Sequence, residues 1–389
     1  MSLRTLNDLE NLKEKRVLIR VDFNVPLNEK GDIRDDKRIK HALPTLQYLL
    51  EKGVKQIILA THVGRPKNDE PHLKTDVLAR HLEGLINESV EKIDDWGGRG
   101  MPESKMVMLE NLRFNPSEKS KDEGKRDAFG KQLANLADFY VNEAFSNSHR
   151  SHASMTSVPK FIPGVAGLGV EKEVKAIQIA TQQPKKPLVA VIGGLKADKL
   201  TAIYNLLEIA DKILVAGALA CNLLKSKGYE IGDSKSDDEG MEEKSELVKA
   251  ILGSDKVELP TDFIVADAFS ETSNHKVVSA SSIEEGWMAL DIGPESSQTF
   301  AEELEKAQTI LWFGPIGVFE LPPFANGTTQ IGEAIAKNPG TTIIGGGDSA
   351  SAVKKLGLSE KMTLVSTGGG ASLQMIEGNP LPALELLSE

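Results

Sequence analysis

VLIRVDFNVP, residues 17–26, joins a short β-branched run to a polar turn. A run this short and this apolar suits a strand covered on both faces, as in a parallel sheet. The same unit recurs along the chain. Its other runs are QIILA (56–60), MVML (106–109), FYV (139–141), LVAVI (188–192), KILVA (212–216), TILWF (309–313), TTII (341–344) and TLVS (363–366). Between them lie stretches such as IKHALPTLQYLLEKG (39–53) and LTAIYNLLEIA (200–210), whose apolar residues recur at helical spacing. The alternation predicts an α/β fold with doubly wound parallel sheets.

A break separates the fourth run from the fifth. It reads SVPKFIPGVAGLG, then the helical EKEVKAIQIATQQ, then PKKP. Proline and glycine flank that helix, which marks a domain boundary. The expected division is 1–170 and 171–375, with 171–183 as the connecting helix.

Composition narrows the function classes. The chain has 389 residues, 40% apolar and 26% charged, so two or three domains are expected. No run approaches the roughly 18 apolar residues of a membrane span. The start, MSLRTLNDLENLKEK, lacks the apolar stretch of a signal peptide. The single cysteine, Cys221, excludes an internal disulfide and a Cys-rich zinc site. A cytoplasmic setting is expected, with no membrane partner. The net charge of −11 argues against a nucleic-acid scaffold. It is unevenly spread: residues 1–170 hold 27 basic and 25 acidic side chains, net +2, and residues 171–389 hold 19 and 32, net −13. An anionic ligand is drawn more readily to the first half. Solvated surface charge is the plainer account of the totals alone.

Ligands of open α/β sheets bind outside the carboxyl ends of the strands. There the first four runs place DFNVP, THVGRP, ENLRF and NEAFSNSHR, which supply Asp22, Asn24, His62, Arg65, Arg113, His149 and Arg150. Arg38 stands just before the first helical stretch. Guanidinium groups gathered at one sheet edge make an anion trap. Taken singly, each arginine reads better as a surface ion pair, and each histidine equally well as a structural hydrogen bond. The last five runs lead instead to GGLKADKL, GALACN, GPIGVFE, GGGDSAS and TGGGASL. Glycine lets backbone N–H groups approach phosphate closely. Lys196 and Lys199 can neutralise phosphate oxygens, and Asp348 can hold a magnesium ion between them. No GxxxxGK[ST], GxGxxG, HRD or DFG pattern is present in these loops, which disfavours Walker-type sites, dinucleotide dehydrogenases and protein kinases.

In this order the segments RVDFNVP, HVGRP, ENLRF, GPIGVFE, GGGDSA and STGGGASL closely resemble phosphoglycerate kinase, over almost the whole chain. The resemblance implies two Rossmann-like domains facing across a cleft, hinge-bending closure, and reversible transfer from 1,3-bisphosphoglycerate to ADP, giving 3-phosphoglycerate and ATP. By matching motif, the acid would be bound by Asp22, Phe23, Asn24, Arg38, His62, Val63, Gly64, Arg65, Arg113 and Arg150. The Mg-nucleotide would be bound by Gly193, Lys196, Lys199, Gly217, Glu320 on the ribose, and Gly346, Gly347, Asp348 and Ser349, with Asp348 toward Mg2+. Arg38, Lys196, Lys199 and the N–H groups of Gly368, Gly369 and Gly370 would surround the moving group. The tail 376–389 would pack back on the first domain, and the chain would act as a monomer.

Four departures from the family pattern stand out. Lys196 and Lys199 are three apart, where the family usually has four. WNGP reads Trp312-Phe313-Gly314-Pro315, DAF reads Glu143-Ala144-Phe145, and a paired glycine reads Gly217-Ala218. The rival readings are a nicotinamide-dependent dehydrogenase, disfavoured by DFNVP in the first turn, and a phosphometabolite-binding protein without turnover.

Overall fold

Every apolar run named above becomes a parallel strand in the computed structural model, which describes residues 2–28, 31–68, 70–96 and 100–388. The chain divides into two units, Met1–Val174 with Pro380–Glu389, and Lys175–Asn379. The connecting helix forms over Leu168–Gln182, so the division falls inside it.

The first unit carries β1 (Arg16–Val21), β2 (Gln56–Ala60), β3 (Val90–Ile93), β4 (Met106–Leu109), β5 (Phe139–Glu143) and β6 (Gly164–Ala166). They form one parallel sheet in the order β3-β4-β2-β1-β5-β6. Strand periodicity sends alternate side chains to opposite faces. Val17, Ile19 and Val21 pack with Ile39, Leu46 and Leu49 of the helix Lys37–Glu51. Leu18 packs the other way, with Phe129, Leu133, Tyr140 and Leu387. Both faces are therefore covered. The returning tail belongs to this second layer: Arg4 N–H donates to the Leu387 carbonyl at 2.8 Å, and Ala383 N–H to that of Ser148 at 3.1 Å.

The second unit repeats the plan with β7 (Leu188–Ile192), β8 (Lys212–Val215), β9 (Val257–Glu258), β10 (Asp262–Ala266), β11 (His275–Ser279), β12 (Met288–Ile292), β13 (Thr309–Phe313), β14 (Thr341–Gly345) and β15 (Leu364–Val365). Six of these form a parallel sheet in the order β15-β14-β13-β7-β8-β9. The other three form an antiparallel sheet, β11-β10-β12, which the sequence reading did not anticipate. The strand HKVVS (β11) alternates exposed and half-buried residues, so it lacks the continuous apolar run that marks a parallel strand.

In each parallel sheet the chain reverses its direction of strand addition once. The reversal lies between β1 and β5 in the first unit and between β7 and β13 in the second. These switch points are where an open α/β sheet leaves a crevice for ligand.

Candidate functional site

At the first switch point the turns after β1 and β5 meet on one carboxylate. Arg38 Nη1 and Ser146 Oγ both donate to Asp22 Oδ2. The turn itself is pinned from below. Phe23 N–H donates to Thr61 Oγ1 at 3.1 Å, and Gly64 N–H donates to Asn24 Oδ1 at 2.9 Å. Phe23 and Val63 are buried and serve as props. Asn111 ties the next loop in, accepting from Val63 N–H at 3.2 Å and from Arg113 N–H at 3.1 Å. Arg113 Nη1 donates to the Gly64 carbonyl, while its buried Nε has no protein partner. Asn24 N–H also donates to Asp22 Oδ1 at 3.4 Å, so Asp22, Asn24, Arg38, Gly64 and Arg113 are knit into one network. Arg65 and Arg150 extend from it as exposed side chains, Arg150 Nε lying 3.2 Å from His149 Nε2.

Behind this surface lies a group that sequence reasoning missed. Arg20 is fully buried in β1; it donates through Nε to Ser154 Oγ at 2.9 Å and approaches His62 Nδ1 through Nη2 at 2.9 Å. Guanidinium has no acceptor, so Nδ1 accepts and the proton of a neutral His62 sits on Nε2. Burial first, then the charges of Arg20, Arg113, His152 and Arg38, hold His62 well below the ordinary histidine range. Burial and the charges of Arg20 and Arg113 bring His152 down to about 3. Burial likewise lowers Arg113 to about 10, helped by Arg20 and Arg150. Beneath them Glu118 is buried and accepts from Ser154 Oγ at 2.6 Å and Ser154 N–H at 2.9 Å. Burial pushes its carboxyl up, against the pull of Arg20. Burial together with converging arginine charges marks a place of positive potential suited to an anion. The clue in the sequence was an arginine inside an otherwise apolar strand, a placement that burial makes expensive unless it is paired.

The second switch point is built from backbone. Gly193 N–H donates to the Phe313 carbonyl at 2.8 Å, and a Cβ at Gly193 would run into the Pro315 carbonyl. A Cβ at Gly314, where φ is +90°, would meet both the Gly193 carbonyl and Lys199 Nζ. Gly217, with φ +66°, sits against Gly194. Only glycine lets these chains pass so closely. Lys199 Nζ lies in this cage and donates to the Gly193 carbonyl. Burial lowers its pKa, opposed by the charges of Asp198 and Asp348. Lys196, three residues earlier, is exposed. Ser349 is buried and accepts from Gly314 N–H at 2.7 Å, locking the loop after β13 to the helix Gly347–Lys355. Gly346 lies just before that helix, and Asp348 is exposed in its first turn.

A cavity of about 300 Å³ opens from this point, lined by Gly194, Gly217, Pro315 and Asp348 on one wall and by Phe263, Met288 and Leu290 on another. Phe313 does not face it with a polar group; its ring lies against Gly345. Glu320 is exposed and is not one of the lining residues. Gly368 donates its N–H to Ser366 Oγ at 3.0 Å, and Gly369 and Gly370 open the helix Gly370–Ile376. They also lie outside the lining. Among the described residues no three His, Cys, Asp or Glu side chains gather as a metal cage, and no helix is long and apolar enough to cross a membrane.

The fold and its two switch points are those of a phosphoryl-transfer enzyme. A family model described as phosphoglycerate kinase matches residues 6–379. The chain is 44% identical to the phosphoglycerate kinase of Moorella thermoacetica over 399 aligned positions, covering 100% of both chains. It is 43% identical to that of Dictyoglomus turgidum, again over 100% of each. The solved phosphoglycerate kinase of Coxiella burnetii superposes with a TM-score of 0.88 at 36% identity, covering 99% of this chain and 98% of that one. The Pyrococcus horikoshii enzyme gives 0.84 at 33%, covering 100% and 98%. The chain belongs to the phosphoglycerate kinase family, and its activity is the reversible phosphoglycerate kinase reaction of glycolysis.

Proposed function

We propose that the first unit binds 3-phosphoglycerate or 1,3-bisphosphoglycerate, that the second binds ADP or ATP, and that transfer between them is direct and in line. The observation that carries this reading is the contrast between the two switch points. One gathers guanidinium groups about Arg113 and His152, whose charged forms are disfavoured by burial first and then by the neighbouring arginine charges. The other wraps a lysine ammonium in glycine backbone.

Both reacting oxygens, a carboxylate of the acid and a phosphate of the nucleotide, are already ionised. No general base and no covalent enzyme intermediate are required. Catalysis reduces to positioning and charge stabilisation. Arg38, held by Asp22, would bring its remaining N–H groups to the acid and the transferring group. His62 would donate from Nε2, and Arg65, Arg113 and Arg150 would bind the anionic ends. Lys199 would contact the nucleotide phosphates from its cage, with exposed Lys196 nearer the moving group. Gly368–Gly370 N–H groups would serve the equatorial oxygens, and Glu320 the ribose. A magnesium ion fits this donor set through one protein carboxylate, Asp348, with phosphates and water completing its shell. Bound there, it would neutralise phosphate charge. In-line transfer requires donor and acceptor oxygens to meet, so the reading includes a hinge movement that closes on both ligands and excludes water. It also takes the enzyme to be a cytoplasmic monomer without nucleic-acid or membrane partners.

The test is a coupled assay containing enzyme, 3-phosphoglycerate, Mg-ATP and a reporter that consumes the acyl phosphate. Turnover dependent on all three is expected. No signal at micromolar enzyme would sink the reading and favour a binding protein.

A further inference from the structure

The two lysines at the second switch point are held in different ways. Lys199 is caged by glycine backbone and donates to the Gly193 carbonyl. Lys196 is exposed, and its ammonium has no hydrogen-bond or ion-pair partner among the described residues. Its reach is therefore set by the backbone it leaves from.

That backbone is tied on both sides. Asn222 Nδ2 donates to the Leu195 carbonyl at 3.2 Å, in the peptide before Lys196. Ala197 N–H, in the peptide after it, donates to Asp237 Oδ2 at 2.9 Å. The two anchors hold each other, for Asp237 N–H donates to Asn222 Oδ1 at 3.0 Å. The result is a closed ring of bonds around Lys196. Asn222 is itself buried in the helix Gly217–Ser226. Lys244 Nζ adds a further grip, donating to the Ala197 carbonyl at 3.0 Å.

Asp237 and Lys244 come from SKSDDEGMEEKSE (234–246), which by composition reads as solvated surface. Here it folds against the lysine loop. Asp237 caps the helix Asp238–Glu243, accepting from Gly240 N–H at 3.4 Å. A Cβ at Gly240 would lie 2.8 Å from Asp237 Oδ2 and 3.0 Å from the Cβ of Ala197, so helix and loop pack directly together. Ala197 is buried. Removing the carboxylate would leave its N–H without an acceptor, and the loop would shift to recover one. Building on the phosphoryl-transfer reading of these lysines, we propose that Asp237 is a positioning residue for Lys196. It fixes the peptide from which the ammonium reaches the moving group.

The experiment is a double-mutant cycle on kcat, with Mg-ATP and 3-phosphoglycerate, over Asp237→Ala, Lys196→Met and the double variant, with Asp237→Asn alongside. Misplacing a group by a fraction of an ångström is expensive, so Asp237→Ala should lower kcat about tenfold or more. The KM for 3-phosphoglycerate should change less than about twofold. In the Lys196→Met background the same change should cost under about twofold, because the group it positions is gone. Asp237→Asn keeps an oxygen for Ala197 N–H and should recover most of the loss. Losses that multiply in the double variant overturn the proposal, since they mark general damage to the fold. So does an unchanged kcat in Asp237→Ala, or an Asn variant as impaired as the Ala one. Full kcat in Lys196→Met would overturn the reading of Lys196 on which the proposal rests, and the proposal with it.

Discussion

Arg38 spends one N–H on Asp22, and the same carboxylate oxygen accepts from Ser146. The guanidinium is thereby aimed, with its other donors left for a ligand. Arg38→Ala should lower kcat at least 100-fold, about 3 kcal/mol of lost transition-state stabilisation, while the KM for nucleotide changes little. Steady-state kinetics decides this, and near-normal kcat would remove Arg38 from the reacting centre. Lys199 gives a second expectation. Burial lowers its pKa, so the free site should lose its positive charge at a lower pH than an ordinary lysine would. Nucleotide phosphate favours the charged form. The KM for nucleotide should therefore rise as pH climbs through the lowered pKa, and Lys199→Arg should move that limb to higher pH. A profile unchanged by Lys199→Arg would show that the lysine is not the titrating group. At this scale the residues at strand ends were legible, because motif and position coincide. Arg20, Glu118 and His152 were not. Their roles depend on partners such as Ser154, 134 positions from Arg20 and 36 from Glu118, which no local pattern reports.

The connecting helix Leu168–Gln182 begins on a carboxylate from another element. Glu143, at the end of β5, accepts from Gly169 N–H at 3.0 Å and from Thr45 Oγ1 at 3.0 Å, and also from the backbone of Val170. A Cβ at Gly167 or Gly169 would strike that carboxylate, so the two glycines make room for the cap. His41 lies between Glu143, at 3.9 Å, and Glu173, at 3.7 Å, both of which are buried. Burial, with a further push from the charge of Glu173, raises Glu143 to about 8. Its folded pKa is thus above the unfolded one. The stability it contributes is full below about pH 4.3 and is lost as pH rises toward 8. Denaturant midpoints between pH 5 and 8 should fall with pH, and Glu143→Gln should flatten the slope; an unflattened slope assigns it elsewhere. Thr45→Val should cost about 1–3 kcal/mol, because it removes the hydroxyl that the carboxylate and Leu168 N–H both use. Nine of the parallel strands were legible because burial on both faces writes a continuous apolar run; β3 is half exposed and β6 and β9 are two or three residues long, and none of these was read. The antiparallel sheet was not, since HKVVS has one solvated face.

The first unit is discontinuous in the chain, which returns to it after the whole of the second. Leu387 and Leu384 are buried in it, and Leu387 accepts from Arg4 N–H. Leu387→Ala should cost about 2–5 kcal/mol. The loss should appear in the transition protected by 3-phosphoglycerate, with the transition protected by Mg-ADP little moved. Equal shifts in both would mean that the two units unfold together. The same return has a consequence during synthesis. A ribosome makes the strands β1 to β6 first, yet the residues that close their second layer emerge only after some two hundred more have been added. The unit begun first is the one finished last, and the nascent chain must carry an unsealed sheet while its neighbour folds.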